Sequence, residues 1–104
     1  MLIYKATNLK NGKVYIGETR QTLTRRKNQH FSEAFARNAK DKFHQAIREF
    51  GKENFVFEEI ARSNSFTNLA KLERKLIIEH DSIENGYNTH VSNDTWLRRK
   101  KKAS

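Results

Sequence analysis

Apolar-rich segments at residues 2–8 and 13–17 flank a polar stretch that ends in Asn11-Gly12, a pair suited to the positive φ of a tight turn. This pattern predicts a β-hairpin. The period then lengthens. Thr22 is placed to cap a helix from Leu23 to about Arg37, with Leu23, His30, Phe31, Ala34 and Phe35 on its inner side. Asp41 is placed to cap a second helix, whose apolar face carries Phe43, Ala46, Ile47 and Phe50 and which Gly51 ends. Phe55-Val56-Phe57-Glu58-Glu59-Ile60 is aromatic and β-branched and predicts a third strand. Leu69 to about His80 predicts a third helix with Leu69, Leu72, Leu76 and Ile77 inward. The order ββααβα, opening on a hairpin, implies an α+β fold with a small antiparallel sheet packed against helices, and argues against a doubly wound parallel sheet.

A chain of 104 residues has material for one core. The only composition break falls after about residue 92, so residues 1–92 read as the folded domain and 93–104 as a basic tail. Lysine and arginine number 21 against 12 acids, a net charge of +9, which points to a polyanionic partner, nucleic acid first among them. Arg98, Arg99, Lys100, Lys101 and Lys102 supply five of those nine charges and suit an arm that tracks phosphates, with Trp96 beside them able to stack on a base or pack on the domain. The absence of cysteine excludes disulfides, thiolate metal sites and cysteine nucleophiles. No apolar run reaches the ~18 residues of a membrane span and no secretion leader is visible, so a cytoplasmic protein with no membrane partner is expected.

Three features fit poorly with a purely structural role. If the hairpin loop has an even number of residues, Tyr4 and Tyr15 share one face and Ile3, Val14 and Ile16 the other; an isolated tyrosine pair of this kind is more often ordinary sheet packing. Arg26 and His30, spaced i,i+4, place a permanent cation and a proton carrier on one helix surface, beside Arg25 and Lys27. Glu73 falls among the apolar positions of the third helix, where a carboxylate needs either a salt-bridge partner or a hard cation. A carboxylate for a divalent ion, an arginine for a charged phosphate and a proton acceptor are together what phosphodiester hydrolysis needs.

Leu2-Ile3-Tyr4 and Tyr15-Ile16-Gly17, followed by Thr19, Leu23, Arg26 and His30, then Leu72-Glu73 and Gly86-Tyr87-Asn88, make the chain resemble the GIY-YIG nuclease superfamily over roughly residues 2–91. Leu2 departs from the family pattern by replacing the first glycine, and Arg25 stands next to Arg26 as a rival for the helical arginine. Arg26 is preferred because His30 follows it one turn later. The resemblance implies an αβ sandwich on a three-stranded antiparallel sheet. It also implies that Tyr4 and Tyr15 line a cleft, that Arg26 holds the scissile phosphate, that Glu73 is the single protein ligand of a divalent metal, and that Asn88 supports the site with help from His30 and Lys13.

One carboxylate suits Mg²⁺ or Mn²⁺, which keeps much of its hydration shell. Tyr4 is the favoured general base and His30 its rival, since a phenol of pKa ~10 needs nearby cations to ionise near neutrality. DNA is the expected substrate, contacted by Arg25, Arg26 and Lys27 as well as by the tail. The resemblance is strongest to homing-type domains, so a phage- or mobile-element-encoded enzyme, or a nucleoid-associated one, is expected. One site cuts one strand, so a double-strand break would need a dimer or sequential nicks. The competing reading is a nucleic-acid-binding module without catalysis.

Overall fold

The computed structural model describes residues 1–89. Trp96 and the five basic residues 98–102 expected to track phosphates lie outside the described residues, as does the expected tail as a whole.

The chain forms β1 (Leu2–Asn8), β2 (Val14–Thr19), α1 (Leu23–Phe35), α2 (Lys42–Phe50), a short 3-10 turn (Lys52–Asn54), β3 (Phe55–Arg62) and α3 (Phe66–Glu79). The sheet order is β2-β1-β3, with both pairings antiparallel. This is the ββααβα antiparallel architecture the periodicities predict. The hairpin turn is tied by Asn8, whose carbonyl accepts from the Gly12 amide at 2.7 Å and whose side-chain oxygen accepts from the Lys10 amide at 2.9 Å. Gly12 sits at φ 77°, where a side chain would be strained.

The register pairs Tyr4 with Gly17 and Ala6 with Tyr15, so the loop is even and the two tyrosines do share a face. That face packs on α1 and α2 through Ala6, Ala34, Phe43, Ala46, Ile47 and Phe55. The opposite face packs on α3 through Ile3, Ile16, Leu69 and Ile77. The sheet thus separates two small cores, with β1 in its middle and β2 at one edge.

The caps form as the sequence implies. Thr22 accepts from the Arg25 amide at 3.2 Å and Asp41 from the His44 amide at 3.2 Å. Ser65 accepts from the Asn68 amide at 3.2 Å, which starts α3 three residues earlier than its apolar stripe indicates. One inward assignment is corrected. Phe35 is 51% exposed. At ~100° per residue it stands about 140° around α1 from His30, on the far side of the stripe that His30 and Ala34 define. Leu2, by contrast, is buried in extended backbone, where glycine's conformational freedom has no use.

Gly17 is required for a different reason. A Cβ there would fall on the Tyr4 hydroxyl and against the Tyr15 ring, so the missing side chain is the space the Tyr4 phenol occupies. Gly17→Ala is therefore expected to destabilise the domain by about 1–3 kcal/mol. Urea unfolding checks this, and an unchanged midpoint would mean that the Tyr4 ring is free to move aside.

Candidate active site

β2 is an edge strand, and its outer side is closed by the segment that follows α3. The Asn88 side chain accepts from the Ile16 amide and donates to the Ile16 carbonyl, both at 2.9 Å, and the Tyr87 amide donates to the Val14 carbonyl at 2.9 Å. Tyr87 also anchors the turn, its hydroxyl accepting from Asn8 at 3.0 Å and Asn11 at 3.1 Å. Between this segment, α1, α2 and α3 lies a cleft of about 280 Å³.

Arg26 and His30 reach the cleft from α1, on one side of the sheet, and Glu73 reaches it from α3, on the other. Tyr15 and Asn88 form the wall where the edge strand runs between them. Glu73 is 3% exposed, so the carboxylate placed among apolar positions by sequence is indeed buried. Lys13 is exposed at the hairpin turn and does not line the cleft. Arg25 is exposed on α1, and Lys27 is half-buried.

The two tyrosines differ in depth. Tyr15, on the edge strand, lines the cleft and is half-buried, whereas Tyr4, on the central strand, is 0% exposed and lies beneath it. Burial raises the Tyr4 phenol far above its ordinary range, helped by Tyr15 and Glu73, while Arg26 acts in the opposite sense by charge and hydrogen bonding. Burial likewise pushes Tyr15 up to about 12, again with Arg26 opposing and Glu73 reinforcing. A direct role for Tyr4 as a free phenolate base is thus costly in this arrangement.

Tyr4 is instead the first member of a chain of hydrogen bonds. Its hydroxyl lies 2.6 Å from His30 Nε2, His30 Nδ1 lies 2.9 Å from His44 Nε2, and His44 Nδ1 lies 2.5 Å from Asp41 Oδ1. Burial alone would raise the Asp41 carboxyl, but hydrogen bonds and charge from His44 hold it below its ordinary value. A carboxylate can only accept, which places a proton on His44 Nδ1. The neutral His30 ring links this pair to the Tyr4 hydroxyl, one of its nitrogens donating and the other accepting. Burial, with Arg26 and His44 adding to it, lowers His30 to about 3, so its ring is neutral at physiological pH. Sequence periodicity does not mark His44 and Asp41 as functional; their only signal is an Asp three residues before a His at a helix start.

The family model described as the GIY-YIG catalytic domain matches residues 1–88. The chain belongs to the GIY-YIG family. No curated protein matches it. Among solved structures, the catalytic domain of the homing endonuclease I-TevI is similar at TM-score 0.74 and 23% identity, over 85% of this chain and 96% of that one. A glutamate-to-alanine mutant of the catalytic domain of the intron endonuclease I-TevI is similar at TM-score 0.72 and 24% identity, over 88% of this chain and 94% of that one. The GIY-YIG fold is thereby shared, with both signature tripeptides on the hairpin. Among the described residues, no helix is long and apolar enough to cross a membrane.

Two outcomes follow from the site's polar groups. Asn88→Asp keeps the acceptor for the Ile16 amide but loses the donor to the Ile16 carbonyl, and is expected to cost about 1–3 kcal/mol in chemical denaturation. His30 is kept neutral by folding, whereas the unfolded chain protonates it below its ordinary pKa of 6.5. The unfolded state therefore binds more protons between pH ~6.5 and ~3, and stability falls as pH drops through that window by up to about 1.4 kcal/mol per unit. Unfolding free energies measured across this range should show a flatter acid limb in His30→Gln than in the unsubstituted protein.

Proposed function

We propose that this GIY-YIG domain is a divalent-metal-dependent endonuclease that hydrolyses phosphodiester bonds in DNA. The observation that carries this reading is the arrival of Glu73 and Arg26 in one cleft from opposite faces of the sheet. A buried acid opposite a guanidinium in a strongly basic chain suits a metal and a phosphate held side by side, and a module that only binds nucleic acid gains nothing from a carboxylate there.

The donor set fits a hydrated hard cation. Glu73, a buried carboxylate lining the cleft beside Arg26, is the residue that would hold such an ion, while Asp41 is tied to His44 and the Asn88 amide to Ile16. Mg²⁺ or Mn²⁺ binds in this way. Such an ion supplies neutralisation of charge on a non-bridging or leaving phosphate oxygen. Arg26 donates to the same phosphate and meets the charge that builds in the transition state, for which its planar fork is better shaped than lysine.

Proton removal from the attacking water runs through Tyr4 as a relay, not as a preformed phenolate. A phosphate draws the Arg26 guanidinium toward itself and away from Tyr4. With the guanidinium moved, water reaches the Tyr4 oxygen beneath the cleft, which takes its proton as its own passes to His30 Nε2, and the hydrogen-bonded series carries the charge on toward His44 and Asp41 at the cleft rim. Tyr15, the more accessible phenol, orients the water. One such centre cuts one strand, and breaking both requires two copies or two successive events.

Supercoiled plasmid with Mg²⁺ or EDTA tests the proposal. Relaxed product is expected with Mg²⁺ alone. Glu73→Gln and Arg26→Ala should each lose at least ~100-fold in cleavage while still binding DNA. Cleavage that survives in Glu73→Gln would remove the metal assignment. Absence of cleavage on supercoiled, linear and branched DNA with either ion would leave the binding module as the reading.

A further inference from the structure

We propose that His30, His44 and Glu33 form a second cation site, selective for Zn²⁺-like borderline divalent ions and separate from the Glu73 position. His30 Nδ1 and His44 Nε2 are 2.9 Å apart, His44 Nε2 and Glu33 Oε1 3.2 Å, and His30 Nδ1 and Glu33 Oε1 3.8 Å. Bonds of ~2.0–2.1 Å at tetrahedral angles separate ligand atoms by ~3.3 Å, so these three atoms outline one face of a zinc tetrahedron. Two imidazoles and one carboxylate select a borderline ion over Mg²⁺.

The surroundings also match those of metal-binding histidines. Such rings are held through their second nitrogen by an oxygen partner, and here His44 Nδ1 is held by Asp41 and His30 Nε2 by Tyr4. Two imidazole nitrogens and a carboxylate oxygen converge here, and a cation satisfies all three groups at once. Access is through Glu33, whose side chain is 37% exposed and borders a separate hollow on the outer side of α1.

Occupation of the site changes His30. A metal on Nδ1 leaves the neutral ring's one proton on Nε2. His30 then donates to Tyr4 and can no longer accept from it. If the relay proposed for the nuclease operates, the ion breaks it; the binding site itself does not depend on that reading.

Titration of the intact protein with Co²⁺, and competition by Zn²⁺, tests the site. One equivalent is expected to bind with the intense visible absorption of tetrahedral Co²⁺, and ¹⁵N spectra of labelled histidine should show ligation through His30 Nδ1 and His44 Nε2. Glu33→Gln, at a half-exposed position, should weaken binding at least tenfold with folding intact, and Glu73→Gln should leave it unchanged. An octahedral spectrum or loss of binding in Glu73→Gln, which lacks the other proposed cation position, or indifference to Glu33→Gln, would overturn the proposal. A protein that binds Co²⁺ as described yet cuts no DNA would keep this site and lose only the nuclease reading.

Discussion

The paired hydrogen bonds between the Asn88 side chain and the Ile16 backbone hold the outer edge of the sheet, and the site depends on them. An edge strand exposes amide and carbonyl groups that another strand would normally cover. Here one side chain satisfies one residue of that edge in both senses, at 2.9 Å each way. A full fourth strand would fill the space beside β2. A single asparagine stops short of that and leaves an opening into which α1 and α3 can project from either side. The cleft is therefore a consequence of how the edge is closed, and Arg26 and Glu73 meet because nothing larger stands between them.

Electrostatics in this opening are set by opposed charges acting on shared neutral neighbours. Arg26 favours the ionised form of both tyrosines and disfavours protonation of His30, while Glu73 disfavours ionisation of both tyrosines. Burial dominates each balance, which keeps both phenols protonated and the imidazole unprotonated. Neutral rings flanked by a guanidinium and a carboxyl group are tolerable in a small core. It also makes the site responsive, because any ligand that engages Arg26 or neutralises Glu73 alters the fields on Tyr4 and Tyr15 together.

Much of this was legible in the sequence. Asn11-Gly12 marked the turn, and an even loop put Tyr4 and Tyr15 on one face. Thr22 and Asp41 marked two helix starts, and Glu73 among leucines marked a buried acid. The relative depth of the tyrosines was not legible, because it depends on strand order: β3 pairs with β1, making Tyr4's strand central and Tyr15's the edge. Alternation fixes the face a side chain takes and carries no information on how many strands flank it. The exposure of Phe35 is hidden for a related reason, since apolar character does not imply inwardness at a helix end where the stripe has already turned away. The His30–His44–Asp41 series joins two helices through a contact that no local period records. Its trace in the sequence was the spacing of Asp41 and His44, which a helix N-cap brings side by side.

Stability and site geometry draw on the same short segment. Tyr87 fastens the hairpin turn through Asn8 and Asn11, its amide fastens β2 at Val14, and Asn88 fastens β2 at Ile16. Gly86 allows this, because a Cβ there would strike the Val14 carbonyl and the Ser82 backbone. Three anchor points from two consecutive residues fix the hairpin that carries both tyrosines relative to the helix that carries Glu73. The segment is too short to contribute a core of its own, so its stability comes from satisfying buried backbone and amide groups. Loosening any anchor exposes unpaired polar groups and moves the cleft wall at once, so cleft geometry and folding cannot be tuned independently here, in contrast to a site carried on surface loops over a separate scaffold.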